Sequence, residues 1–270
     1  MHREYYIRMS RNIEYINSAS LRLDGRRVGE NRKVVFELGT MSESDGSCMY
    51  ACGGTKVLAM VYGPRDAASQ SHMMAGGSAG GTGASGEASI GCDVALVAFS
   101  GERRRNPQRR NKLAQELSSM VERVVKSVIL PAQYPNSHIQ VYVEILQQDG
   151  SEEAACINAA MLALNDARIA MVDTAVALTA GVLDGKVLLD LTQAEIKSQC
   201  PRATVIVKAH RPDSIVYMEM DSRVSEELLE LLVNGCCVGC GELYSSSLEP
   251  PMRESVEKAA KRQQAMLAGR

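Results

Sequence analysis

Ile139-Gln140-Val141-Tyr142-Val143-Glu144-Ile145-Leu146-Gln147-Gln148-Asp149-Gly150-Ser151-Glu152-Glu153 contains the chain's most informative change of period. From Ile139 to Leu146 apolar and polar residues alternate, as in a strand with one buried face. Past Asp149-Gly150 the spacing becomes helical and stays so from about Ser151 to Asp166.

The same reading extends upstream. Lys33–Leu38 and Ser47–Cys52 read as strands, and Gly53-Gly54 is a two-residue hairpin signal leading into a third strand, Thr55 to Tyr62. Gly63-Pro64 is expected to end that strand. Ala75 to Gly91 holds seven of the chain's 22 glycines among Ser, Ala and Thr, and reads as a flexible excursion. Cys92–Ser100 returns to a strand pattern. Leu113, Leu117, Met120, Val121, Val124, Val125 and Val128 then fall at helical spacing, with Pro131 beyond the end.

Downstream, strands are expected near 175–182, 186–191, 203–209 and 214–220, followed by a helix from Ser225 to about Leu243. Met252, Val256, Ala259, Ala260, Met266 and Leu267 suggest a last amphipathic helix after Pro250-Pro251. Strands, then a helix, then the same again, indicate an α+β fold of two similar halves. The expected organisation is a polar, poorly ordered N-terminal extension over 1–20, a first half over 21–150, a second over 151–248 and a charged helix or tail over 249–270.

Composition limits the function. At 270 residues and 45% hydrophobic the chain can bury a core, but with 4% aromatic residues and no Trp that core relies on aliphatic side chains. No apolar stretch approaches the roughly 20 residues that cross a bilayer. Met1 to Tyr6 lacks the apolar run of a signal peptide, so no membrane association and an intracellular setting are expected. The eight cysteines mostly lie in apolar segments and read as reduced core residues. Cys236 and Cys240 near Cys237, and the Cys48/Cys52 pair, have no histidine at ligand spacing, so no metal site is expected.

The formal net charge is −2, yet residues 102–112 hold six of the thirty Lys and Arg: Arg103, Arg104, Arg105, Arg109, Arg110 and Lys112. Such focused positive charge suits a phosphate backbone. A solvated charge run is the plain alternative.

Four stretches together resemble the ribonuclease PH family. They are Arg22-Leu23-Asp24-Gly25-Arg26-Arg27; Gly53-Gly54-Thr55-Lys56-Val57 with Val61-Tyr62-Gly63-Pro64; Leu146-Gln147-Gln148-Asp149-Gly150; and Asp184-Gly185 with Leu189-Asp190-Leu191. Within the family the likeness is greatest to the eukaryotic exosome ring subunit whose archaeal counterpart carries the phosphorolytic site. The resemblance implies a ribonuclease PH-type fold of two βα halves (ribosomal protein S5 domain 2-like). It also implies a six-membered ring of related subunits with RNA-binding cap subunits, single-stranded RNA in a central channel, and a hydrolytic exoribonuclease elsewhere in the assembly. Nuclear, nucleolar and cytoplasmic localisation goes with it.

The family's phosphorolytic chemistry needs an anion held at a helix start and acidic groups near the scissile bond. In active relatives the second helix begins with a Gly-Thr-Arg type turn just after the Asp-Gly; here Glu152 stands at the hydroxyl position and Glu153 at the Arg position, following Ser151. A carboxylate about 4 Å from a phosphate repels it by roughly 4 kcal/mol at an effective dielectric of 20, against about 0.3–1 kcal/mol offered by an exposed helix terminus. Ser151 as N-cap with acids in the first turn makes an ordinary helix start. Asp190 matches one family Asp, but the second stands at Ile196, which neither binds metal nor moves a proton; Glu195 beside it points elsewhere. Asp190 thus reads as a vestigial catalytic candidate.

By resemblance Arg109 and Arg110 match the pair that grips RNA, Arg103, Arg104 and Arg105 the basic run before it, and Arg65 a position near the channel constriction. With few aromatic residues, backbone grip is the expected mode. The expectation is an RNA-threading ring subunit without phosphorolysis or cofactor. The alternative is an active phosphate-dependent 3′-to-5′ exoribonuclease using inorganic phosphate and a divalent metal. A third is a pure scaffold whose arginines meet acidic partner surfaces.

Overall fold

A computed structural model describes residues 15–66, 88–101, 104, 112–183, 185–220 and 222–268. The first sheet is five-stranded, β1 (Val34–Leu38), β2 (Gly46–Cys52), β3 (Thr55–Asp66), β4 (Ser89–Leu96) and β5 (Ser137–Gln147), in the order β1-β2-β3-β5-β4. All its pairings are antiparallel except β4 with β5. A parallel pair needs a crossover, and α1 (Lys112–Val128) lies within it. Leu117, Met120, Val121, Val124, Val125 and Val128 make the buried stripe of α1, as their spacing predicts.

The second sheet is antiparallel, in the order β7-β6-β8-β9, from β6 (Ala175–Leu183), β7 (Lys186–Leu189), β8 (Arg202–Lys208) and β9 (Arg211–Met220). Between the sheets lies α2 (Glu152–Asp166), buried on every side from Ala154 to Leu164. It packs on β2 and β3 of one sheet and on β6 of the other. Its Asn158 binds both backbone groups of Ala177 on β6, at 2.9 and 3.0 Å, completing a ladder that β7 is too short to reach. A short helix, α3 (Gln193–Ile196), follows β7; α4 (Glu226–Leu243) covers the second sheet, and a π-helical turn over Tyr244–Leu248 leads into α5 (Glu249–Ala268).

Four expectations change. Gly63-Pro64 does not end β3: the strand continues to Asp66 through a register shift between Tyr62 and Arg65. A side chain at Gly63 would meet the His138 carbonyl at 2.6 Å, so the irregularity is built around a bare backbone. β4 starts earlier, at Ser89, and ends at Leu96; Val97 to Ser100 turn away from the sheet. Residues 15–20, read as part of a poorly ordered extension, form a turn in which Asn17 N–H donates to Leu21 O at 2.8 Å. Finally, α3 falls where no helix was expected. Most of the glycine-rich 75–91 stretch lies outside the described residues.

Cys48, Cys52, Cys92, Cys156, Cys236 and Cys240 are buried and all eight thiols are free. Burial pushes the Cys236 thiol up to about 12, so it stays protonated and packs as a small hydrophobe. Among the described residues no cluster of His, Cys, Asp and Glu could hold a metal ion, and no helix is long and apolar enough to cross a membrane.

Candidate functional site

β5 ends at Gln147, and the chain must turn sharply to enter α2. Gly150 takes φ 87°, and a Cβ there would lie 2.4 Å from the Leu191 carbonyl oxygen, so only glycine fits. The Thr55 hydroxyl clamps the turn from below, donating to Gly150 O at 2.8 Å and accepting from Asp149 N–H at 3.2 Å. Hence the Gly-Gly-Thr hairpin and the Asp-Gly turn, 95 residues apart in sequence, touch directly.

Arg32 closes the arrangement from above. Its guanidinium donates to Asp149 O at 2.8 Å, to Gly150 O at 3.2 Å and to Asp190 Oδ1 at 2.7 Å. The other oxygen, Asp190 Oδ2, accepts from Arg32 Nε at 2.8 Å, from Arg32 backbone N–H at 3.0 Å and from the Cys52 thiol at 3.2 Å. Asp190 is 2% exposed. Burial alone would push its carboxyl up, but the hydrogen bonds and charge of Arg32 outweigh it and hold Asp190 below the usual carboxylate range. Cys52, pushed up to about 12 by burial and by Asp190, serves as donor.

A second buried pair lies beside the first. Arg22 donates to Glu195 Oε1 at 2.7 Å and to Oε2 at 2.5 Å, and reaches the carbonyls of Leu189 and Asp190 at 2.5 and 2.9 Å. Glu195, 1% exposed, also accepts from Thr192 backbone N–H at 2.8 Å, which tethers the start of α3. Glu195 does point away from the turn, as its neighbour's position implies, but into an ion pair. Arg22, Thr55, Asp149, Gly150 and Asp190 belong to the four stretches that carry the family resemblance, and they converge here.

Ser151 occupies the N-cap position of α2 in the left-handed region, φ 53°, and makes no side-chain cap; its hydroxyl donates to Leu191 O at 3.0 Å. The expected hydroxyl cap is therefore absent, because the tight turn aims Oγ at the second half. Glu152 and Glu153 do lie in the first turn. Glu152 accepts from Gly150 N–H at 3.4 Å. Glu153 turns to β8, accepting a short hydrogen bond from Thr204 and pairing with Arg202 at 3.8 Å. Burial pushes the Glu153 carboxyl up, more than Thr204 and Arg202 pull it down. Both acids are expected to repel an anion at this helix start; Glu152 stays at the turn, whereas Glu153 is withdrawn towards β8.

Of the expected RNA-contacting arginines, Arg65 and Arg104 are among the described residues, and Arg65 does not lie at this turn. Arg65 lies at the far end of β3, opposite His138, while Lys56 at the near end is opposite Gln147; nine residues of strand rise put Arg65 about 30 Å away. It is half-exposed, 3.7 Å from Asp45, with its guanidinium over the Tyr62 ring at 5.3 Å. Arg104 is exposed. Arg103, Arg105, Arg109 and Arg110 lie outside the described residues. Sequence reasoning missed Arg32, whose partner is 158 positions away, and nothing in its neighbourhood signals a buried guanidinium.

A model of the 3′ exoribonuclease family, domain 1, matches residues 30–170. Over 229 residues the chain is 37% identical to an Arabidopsis thaliana protein named exosome complex component RRP41 homolog, covering 84% of this chain and 90% of that one. It is 34% identical over 251 residues to exosome complex component RRP41 of Mus musculus, covering 92% and 97%. Among solved structures, rice Rrp46 aligns with TM-score 0.71 at 26% identity, covering 86% of this chain and all of that one. An Archaeoglobus fulgidus exosome described as having RNA bound to the active site aligns with TM-score 0.70 at 18% identity, covering 84% and 92%, a likeness of fold alone.

Proposed function

Since the chain belongs to the ribonuclease PH family of 3′ exoribonucleases, we propose that it is a ring subunit of an exosome-type complex that holds single-stranded RNA without phosphorolysis of its own. The relatives named as exosome components are matched over nearly their whole length, which supports the ring assignment. In this reading its neighbours are other ribonuclease PH-like subunits. RNA-binding caps feed the ring, a hydrolytic exoribonuclease receives the strand, and the protein works in nucleus, nucleolus and cytoplasm.

The loss of phosphorolysis rests on Asp190. Both carboxylate oxygens are bound in a buried setting, Oδ1 by Arg32 and Oδ2 by Arg32 and Cys52, which commits the carboxylate to the arginine rather than to a substrate or a metal. Phosphorolysis would have to draw on a proton donor or a metal-binding carboxylate at that place. Ile196 supplies none, and Glu195 is committed to Arg22. No phosphate or metal cofactor is needed for holding RNA. The arginines of the 103–110 run and Arg65 would grip the backbone, which positions a strand without reading its sequence.

The test is phosphate-dependent release of nucleoside diphosphates from RNA by the reconstituted ring. No release attributable to this chain is expected. Release that disappears in a folded Asp190→Asn variant overturns the reading in favour of an active phosphorolytic exoribonuclease. RNA protection unchanged by Arg109→Glu with Arg110→Glu overturns the RNA-holding part and favours a scaffold.

A further inference from the structure

Phe99 is 72% exposed, in a chain with only two phenylalanines. Its loop is firmly held. Val97 N–H donates to Ile145 O at 3.2 Å, Ser100 N–H to Val97 O at 3.0 Å, and Gln148 N–H to Ser100 O at 2.8 Å. The ring therefore stands on a fixed stem beside the C-terminal end of β5, one residue before the Asp149–Gly150 turn.

Next to it lies a cavity of about 490 Å³ lined by Lys56, Phe99, Ser100, Leu146, Gln147 and Gln148. Ser100 is 3% exposed and its hydroxyl has no hydrogen-bond partner among the described residues. A buried hydroxyl left unpaired is a cost that an incoming donor or acceptor would relieve. The described lining combines one aromatic face, a hydroxyl, two amides and an ammonium with Leu146 and Gly101. A nucleobase would find a π-face, groups for its polar edge and a cation for the adjoining phosphate. Exposed Arg104 follows four residues after Ser100.

We propose that Phe99, Ser100, Lys56, Gln147 and Gln148 form a nucleobase subsite. Phe99 stacks on one base of single-stranded RNA, Ser100 and the glutamine amides bind its edge, and Lys56 meets the neighbouring phosphate. The proposal rests on the RNA-holding reading and adds a stacking contact to the backbone grip expected from so few aromatic residues. Because every base presents a π-face, the subsite is tolerant of sequence.

The test uses the full chain in the assembled ring with a labelled single-stranded RNA oligonucleotide, titrated at several salt concentrations. Phe99→Ala is expected to weaken binding roughly tenfold. The slope of log affinity against log salt should not change, because no phosphate contact is lost. Phe99→Trp should keep the affinity. An abasic position scanned along the RNA should weaken wild-type binding at one register and cost Phe99→Ala nothing there. Undiminished binding by Phe99→Ala, while Arg109→Glu with Arg110→Glu abolishes it, overturns the subsite and leaves the RNA reading standing. Undiminished binding by both overturns the reading beneath it. Loss of ring assembly by Phe99→Ala in size-exclusion chromatography identifies a protein contact and overturns the subsite as well.

Discussion

The Arg32 guanidinium and the Asp190 carboxylate, 158 positions apart in the chain, meet in the interior at 2.7 and 2.8 Å through two parallel hydrogen bonds. Such a fork is the strongest geometry an ion pair can take. It fixes the first strand's approach to the second half, and it engages both oxygens of the Asp190 carboxylate.

Breaking that pair on one side strands a buried charge. Arg32→Met or Asp190→Leu alone should each cost about 3–5 kcal/mol, and the two together clearly less than their sum. Urea unfolding of the three variants measures it; additive losses would show that the pair is not coupled.

Acid should unfold the protein through the same groups. Asp190 and Glu195 have folded carboxyls held below their ordinary values, against burial, by Arg32 and Arg22 respectively. A depressed folded value gives stability that is fully present above the unfolded value, near 4, and is lost as pH falls through the folded one. Urea midpoints between pH 7 and pH 2 should fall steeply below about 4, and less steeply for Asp190→Asn. Parallel curves would contradict this assignment.

Glu153 has the opposite sign. Burial raises its carboxyl, so the folded state holds the proton more tightly and stability declines as pH rises past the unfolded value. Glu153→Gln, which can still accept from Thr204, should therefore be more stable than wild type at pH 7 and equal to it near pH 4. A variant less stable at pH 7 would mean that pairing with Arg202 outweighs burial.

Reinstating the family's hydroxyl residue at the turn should restore anion binding without turnover. Glu152→Thr removes the negative charge held at the turn, worth about tenfold or more in phosphate affinity. Calorimetric titration with inorganic phosphate reads the gain. Nucleoside diphosphate release should remain absent, since Ile196 carries no acid.

Thiol reactivity checks the core. Cys200 and Cys237 are partly exposed, and the other six are buried. At pH 8 an aromatic disulfide reagent should modify two thiols in the native protein and eight in urea. Rapid reaction of a third would place one of the six nearer the surface.

Much of the architecture was legible because periodicity is local. The alternation of 139–146 and the helical spacing of 113–128 each report burial by one neighbouring layer, and both elements formed where expected. β3 outran its proline because the pairing of Arg65 and Asp66 with β5 resumes beyond the irregularity, a gain no local signal encodes. The site was legible as motifs rather than as geometry. Gly53-Gly54-Thr55 and Asp149-Gly150 could be picked out, but not that Thr55 grips the turn. Glu153 could be counted as a charge, yet its direction depends on Thr204, which is brought near only by the second sheet.

The burial of α2 on every side bears on how the protein is made. β2 and β3 have no cover of their own until residues 154–164 have been synthesised and laid across them. A nascent chain halted at Gly150 would present a naked sheet to solvent, and so recruit chaperones or stick to its neighbours. The protein's two parts thus mature together, late in translation, and any truncation between them should yield insoluble fragments rather than a working half.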